Sequence, residues 1–216
     1  MYRKVLTWPN LKLKDIADPL SREDSSDIVT DLKDSFAVTG GLGLAAPQIG
    51  INKRVLIVNP MLLEIFSDEQ LVIINPEIEM SGEVCLSNEA CFSIPYVSGL
   101  VPRYSHCKIA FYNENWERRK LDLEGLPAAC LQHEIDHLDG KLFLDRLSRL
   151  KRQILIKKLR KEHKKMERIK KETTADFERD HAELQMSYDE KKTTDKTTYS
   201  KKRKLKKRRK SRTKRR

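Results

Sequence analysis

Apolar residues recur at helical spacing early in the chain. They are Ile28, Val29, Leu32, Phe36 and Ala37. Intervals of three and four residues place such side chains on one face of a helix. The preceding Ser-Arg-Glu-Asp run is typical of a helix start, and the glycines within 40–43 interrupt the pattern. The sequence therefore predicts an amphipathic helix over residues 21–37.

Strands are predicted next. Residues 54–60 and 71–76 are short apolar runs that each end in Asn-Pro, a pattern typical of strands that stop at a turn. Alternating positions over 108–112 and 119–124 predict a hairpin. A further helix is predicted to open at Pro127, which suits a first helical turn, and to end at Gly140.

The amino-acid composition becomes strongly basic near residue 147. Leucine and isoleucine recur at helical spacing among lysines and arginines up to about residue 171, which predicts one long amphipathic helix. Residues 201–216 hold 13 basic residues and no acidic ones, so they cannot form a core and are predicted to be disordered. We therefore predict a globular domain over 1–147, a basic helix over 148–171 and a basic tail over 172–216.

Charge supports this division. The chain of 216 residues carries a net charge of +12, which combines −7 in residues 1–147 with +19 in residues 148–216. All eight glycines and all eight prolines lie at or before residue 140. A mildly acidic globular unit is thus followed by a strongly basic extension.

Several classes of protein are excluded by composition. No apolar run approaches the ~20 residues that a membrane-spanning helix needs. The apolar stretch at the start is too short for a secretory signal, and acidic residues follow too soon for an organelle presequence. Four cysteines in a chain of this length do not make a disulfide scaffold. We therefore expect a cytoplasmic protein with reduced thiols.

A metal-binding motif lies in the second predicted helix. His133 and His137 are four residues apart, so their imidazoles share a helix face and can converge on one ion. Glu134 lies beside that face and can accept a proton from water. The alternative is a surface helix that carries two histidines by coincidence. We favour a metallohydrolase site.

The third ligand is left open by the residues alone. A thiolate is a reasonable ligand for zinc or ferrous iron. Cys85 and Cys91 occupy a loop-like stretch over 83–93, and composition does not choose between them. Cys130 lies one helical turn before His133 and is predicted to pack near the site. The glycine-rich segment 41–48 ends in Gln48, whose amide can donate to an oxygen atom.

Three ordered segments resemble the peptide deformylase family. They are Gly41-Leu-Gly-Leu-Ala-Ala-Pro-Gln48, Glu89-Ala-Cys-Phe-Ser93 and Gln132-His-Glu-Ile-Asp-His137. The family patterns are G-x-G-L-A-A-P-Q, E-G-C-L-S and Q-H-E-x-D-H, and the resemblance covers about residues 1–150. It implies an α+β fold in which antiparallel β-sheets surround a central metal-binding helix, followed by the amphipathic helix and the disordered basic tail.

The resemblance also implies an activity and a set of roles. The reaction is removal of the formyl group from N-formyl-methionyl peptides, which releases formate. Fe²⁺ is the expected metal, with Zn²⁺ or Ni²⁺ as alternatives. The implied ligands are Cys91, His133 and His137. Glu134 is the implied general base, and the Gln48 side chain and the Phe92 backbone N–H are implied to stabilise the oxyanion. The Gly43 backbone and Arg103 are implied to hold the peptide.

The second motif departs from the family. Ala90 replaces a glycine, which adds a methyl group beside the substrate path, and Phe92 replaces the usual leucine. A second segment, Glu83-Val-Cys-Leu-Ser87, also fits E-x-C-L-S. The family's Ser-Ile-Pro follows Cys91, however, so the resemblance assigns Cys91 rather than Cys85 as the ligand.

The basic extension has two interpretations. It either aids solubility or contacts the ribosome or other RNA, because lysine and arginine clusters bind phosphates without sequence preference. Family members act on nascent chains, and in some a C-terminal helix docks on the ribosome. Two further classes are alternatives: a peptidase that uses the same helix motif, and a nucleic-acid-binding protein with an idle core.

Overall fold

A computed structural model describes residues 1–63 and 70–174. The chain divides into two units, Met1–Lys161 and Glu162–Arg216. The fold and the site below belong to the first unit. The predicted disorder of the basic tail lies outside the described residues, and the predicted three-part division stays a prediction. Among the described residues, no helix is both long and apolar enough to span a bilayer.

The described part of the chain contains five strands in one antiparallel sheet, with neighbour order β1-β2-β3-β4-β5. The strands are β1 (Gly43–Ala45), β2 (Val55–Val58), β3 (Leu71–Cys91), β4 (Ile94–Tyr112) and β5 (Arg118–Glu124). The helices are α1 (Ser25–Thr39), α2 (Leu126–Leu138) and α3 (residues 149–174), with 3-10 turns at Leu11–Lys14, Ala46–Ile49, Pro60–Leu63 and Phe143–Arg146. The α+β prediction is confirmed.

Helix α2 lies at the centre of the first unit. Every residue from Ala128 to Leu138 is buried, so this part of the helix has no solvent-facing side. Its apolar residues pack with those of the sheet in one cluster that includes Leu56, Ile73, Ile109, Phe111, Leu131 and Ile135. Because polar side chains on such a helix cannot reach bulk water, each needs an internal partner. This requirement shapes the site.

The longest strands differ most from prediction. The stop at Pro76 and the loop-like stretch over 83–93 are both wrong, since β3 runs to Cys91 and pairs with β4 almost throughout. Register shifts at Ile74/Glu77 and Ser81/Val84 accommodate Pro76 and Gly82. Such bulges absorb residues that would otherwise end a strand. The predicted hairpin is confirmed, because residues 106–112 pair with residues 118–124.

Helix α1 begins four residues later than predicted. The Ser21 hydroxyl accepts a hydrogen bond from the Asp24 backbone N–H and donates one to its carboxylate, which holds residues 21–24 in a turn ahead of the helix. The cap-like residues therefore precede the helix. The predicted basic helix corresponds to α3, whose first part, up to residue 161, belongs to the first unit.

Candidate metal centre and pocket

Two elements bring three potential metal ligands together. Cys91 ends β3, while His133 and His137 lie one turn apart on α2, with their ring centroids 5.0 Å apart. The cysteine sulfur and one nitrogen of each imidazole all lie within 4.8 Å of one another. Cys91 Sγ is 3.3 Å from His137 Nε2. The three donors thus converge on one point.

Cys85 lies elsewhere. It is exposed and pairs with Arg103 in the β3–β4 ladder, six residues before Cys91. At about 3.3 Å per strand residue, the two cysteines are roughly 20 Å apart along the strand. The geometry therefore groups Cys91, and not Cys85, with the histidines.

The donor set fits a catalytic metal ion. One thiolate and two imidazoles suit Zn²⁺ or Fe²⁺, and three protein ligands leave one position open, as catalytic sites require. Burial, followed by the nearby His133, holds the pKa of His137 well below its ordinary value. The neutral imidazole that results is the form that binds metals. One oxygen of Glu134 is buried without a hydrogen-bond partner among the described residues.

A buried network of charges holds His133. Its Nδ1 lies 2.8 Å from Glu89 Oε2, so its Nε2 is left to face the cysteine. Arg103 donates to both oxygens of Glu89, at 2.7 and 3.0 Å, and to Asp136 at 2.6 Å. Arg146 also donates to Asp136. Such partners fix the orientation of metal-binding imidazoles.

The network stays ionised despite burial. Burial alone raises the pKa of Glu89, but the hydrogen bonds from His133 and Arg103 outweigh it, and the net pKa is lowered. The side chain of Arg103 is only 3% exposed, and it does not line the pocket of about 450 Å³ that opens onto Cys91 and His133. Its guanidinium is occupied by Glu89 and Asp136, so its position does not support the predicted contact with a peptide.

Glu134 occupies a confined position beside the donors. Burial raises the pKa of its carboxyl to about 7, and a carboxyl with a near-neutral pKa can both accept and return a proton at physiological pH. A Cβ at Gly43 would lie 2.8 Å from Cγ and Oε1 of Glu134, closer than packing allows. Glycine at the start of β1 therefore makes room for the carboxylate.

Gln48 is fixed by three contacts. It lies in the 3-10 turn Ala46–Ile49, which directly follows β1. Its Oε1 accepts a hydrogen bond from the Ala45 backbone N–H at 2.8 Å, which orients the amide. Its Nε2 then points at Cys91 Sγ, 3.5 Å away, and at Ser93 Oγ, 3.3 Å away. An N–H donor is thus presented next to the cysteine.

A pocket of about 450 Å³ opens onto these groups. That volume suits a ligand of small-molecule size, such as the end of a peptide. Cys91, His133, Glu134 and Gln48 line it, and so does Ala90. Larger apolar side chains form its rim: Leu42, Phe92, Tyr96 and Leu126. The ring of Phe92 packs over Gly41, where a Cβ would lie 2.8 Å from the ring.

Some of these features have little or no sequence signal. The network that joins Glu89, Arg103, Asp136 and Arg146 links residues on β3, β4, α2 and a 3-10 turn. Glu89 and Asp136 do lie inside the quoted motifs, and carboxylates among apolar residues would have indicated buried cationic partners. The space that Gly43 makes for Glu134 leaves no local pattern.

The arrangement defines a class of protein. A buried helix with two histidines, a strand-end thiolate and a carboxylate in an open pocket make up the site of a metal-dependent hydrolase. The sequence model of the polypeptide deformylase family matches residues 2–153. The chain belongs to this family, and its activity is removal of the formyl group from N-terminal methionine, which releases formate.

Curated relatives and solved structures also support membership of this family. The peptide deformylase of Baumannia cicadellinicola is 40% identical over 159 residues, which cover 72% of this chain and 93% of that protein. A crystal structure of the Legionella pneumophila peptide deformylase matches with a TM-score of 0.70 and 37% identity, covering 78% of this chain and 99% of that one. The predicted family and enzyme class are confirmed, and the peptidase and idle-core alternatives are not.

One solved structure holds a peptide. The Acinetobacter baumannii class I type b peptide deformylase was crystallised with Met-ala-ser bound. It is 34% identical to this chain, with a TM-score of 0.61, and the match covers 68% of this chain and 99% of that one.

Proposed function

We propose that Cys91, His133 and His137 hold Fe²⁺ and that formyl-methionyl peptides react in the adjoining pocket. The observation that carries this proposal is the convergence of the three donor atoms within 4.8 Å beside a buried carboxylate. A divalent ion held there supplies Lewis acidity toward the formyl oxygen and toward water. The Met-ala-ser complex of the Acinetobacter enzyme supports this substrate class, because Met-Ala-Ser is the peptide that removal of the formyl group from formyl-Met-Ala-Ser leaves.

Glu134 carries out the proton transfers of the reaction. Glu134 accepts a proton from the water that attacks the formyl carbon, and the C–N bond then breaks. The same carboxyl returns the proton to the leaving amine, so that formate and a free N-terminus result. The near-neutral pKa of Glu134 suits both transfers.

Two donors stabilise negative charge on the formyl oxygen. The Nε2–H of Gln48 is held toward Cys91 by the bond that Gln48 Oε1 accepts from Ala45. The backbone N–H of Phe92 follows directly after Cys91, in the turn between β3 and β4. Donors fixed before the reaction are effective because they need no reorganisation as charge develops.

The peptide backbone is proposed to lie along β1. This strand is at one edge of the sheet, and edge strands present free backbone groups to an extended chain. Gly43 begins β1 beside Glu134, which supports its predicted contact with the peptide. For Arg103 we propose a positioning role instead, since it orients Glu89 and, through it, His133.

Metal identity is tested by formate release from formyl-Met-Ala-Ser with protein loaded anaerobically with Fe²⁺, Zn²⁺ or Ni²⁺. We expect the Fe²⁺ form to have the highest kcat/KM and to lose activity in air, because a thiolate ligand and ferrous iron are both open to oxidation. Air should leave the Ni²⁺ form unchanged. A Zn²⁺ form as active as the Fe²⁺ form would contradict the assignment of iron.

The basic C-terminal region is proposed to contact ribosomal RNA, which would place the enzyme in the cytoplasm beside emerging chains. The charge of +19 over residues 148–216 supports this. We expect the full chain to cosediment with ribosomes at low salt and to dissociate as salt rises. A chain that ends at residue 171 should bind more weakly but keep full activity on short peptides. Ribosome binding that is unchanged both by rising salt concentration and by the truncation would contradict the proposal.

A further inference from the structure

Tyr96 has an unusual backbone conformation. Its φ is +72°, in the left-handed region that bulky L residues rarely adopt. Two other non-glycine residues of the described chain share a positive φ: Asn75, of a type that tolerates this region, and Trp116, in the connection from β4 to β5. A strained residue inside a strand and beside a reaction centre points to function.

The strain arises in a bulge next to Cys91. In the β3–β4 ladder Cys91 pairs with Ile94, while the preceding residue, Ala90, pairs with Ser98. Residues 95–97 therefore form an insertion in β4 opposite one step of β3. Ile94 and Val97 both enter the same apolar cluster although they are three residues apart, which a regular strand does not allow. The left-handed turn at Tyr96 makes this possible.

The bulge directs Tyr96 toward the pocket. Its side chain lines the pocket and remains 49% exposed. Leu42, Phe92 and Leu126 lie on the same rim, and each is also exposed by more than 40%. Four large apolar side chains around the pocket opening thus remain partly exposed to water. Burial of this apolar surface under a ligand group would be favourable in free energy.

We propose that Tyr96 is a specificity-determining residue of the enzyme. Its ring contacts the side chain of the second or third peptide residue and favours an apolar one there. The proposal rests on the proposed function, in which the formyl-methionine reaches the metal centre of Cys91, His133 and His137 deep in the pocket. The rim then meets the residues that follow.

The test compares two variants at Tyr96 with a matched control. Tyr96→Asn removes the ring but tolerates the left-handed conformation, whereas Tyr96→Phe keeps the ring. Tyr104→Asn is the control, because Tyr104 is 42% exposed on the same strand but does not line the pocket. Each protein is assayed with formyl-Met-Ala-Ala and with peptides carrying Leu or Asp at position two or three, and its metal content is measured.

We expect the unaltered enzyme to prefer the Leu peptides, and Tyr96→Asn to lose about 5- to 10-fold of that preference, mainly through KM. The loss in kcat/KM should be smaller for formyl-Met-Ala-Ala, which offers only methyl side chains at these two positions, than for the Leu peptides. Tyr96→Phe and Tyr104→Asn should keep the preference. The position at which Leu loses its advantage identifies the contacted residue.

Three outcomes would overturn the proposal. They are an unchanged Leu preference in Tyr96→Asn, an equal loss of kcat on all peptides, and an equal loss of preference in the Tyr104 control. Failure of the proposed function looks different, because then the unaltered, metal-loaded enzyme would release formate from none of the peptides.

Discussion

A Glu134→Gln variant is expected to release formate with a kcat/KM about 10²- to 10⁴-fold below that of the unaltered enzyme, because the general base is lost. Glutamine keeps the shape of the side chain, which matters because Glu134 is packed so closely against Gly43 that a Cβ there would lie 2.8 Å from its Cγ and Oε1. It cannot accept the proton from water or return one to the amine. The variant should still fold and still bind metal, since Glu134 is not among the three donors.

The measurement is steady-state formate release on formyl-Met-Ala-Ser, together with metal content and Tm. Glu83→Gln, on an exposed position of β3, is the matched control and should retain full activity. Turnover near the unaltered level in Glu134→Gln would remove Glu134 from the mechanism. A loss of metal that parallels the loss of rate would instead assign it a structural role.

The fold was predictable where the pattern was local. The helical repeat within 127–140 and the alternation within 108–124 each depend on neighbouring residues, and both elements are present. The full length of β3 was not predictable, because Pro76 and Gly82 are ordinary strand breakers. Only pairing with β4, through two bulges, carries the strand past them.

The same distinction applies to the site. The two histidines and Glu134 belong to one helical motif, and their spacing alone indicates a metal centre. The choice of Cys91 over Cys85 needed either the family resemblance or the strand pairing. The role of Arg103 could not be inferred from its position in the chain, because it depends on Glu89 and Asp136, which lie 14 and 33 residues away.

Loss of the thiolate is the second large effect. Cys91→Ala should lower metal affinity by more than the roughly 10- to 100-fold expected when an outer partner of a ligand is removed. The two histidines alone supply only two protein ligands, so metal content should fall, and activity should fall with it. We expect the variant to remain folded, since the apolar cluster around α2 does not depend on Cys91.

Cys85→Ala is the control that makes the result specific. It removes the same side chain from the same strand, within the second segment that fits the family pattern. The exposed Cys85, however, lies roughly 20 Å along the strand from Cys91 and the two histidines beside it. Bound metal per chain, measured after dialysis against a fixed concentration of free metal, should therefore be unchanged in Cys85→Ala and strongly reduced in Cys91→Ala. If the two variants behave in the opposite way, the motif assignment and the observed strand register are both wrong, because each independently selects Cys91.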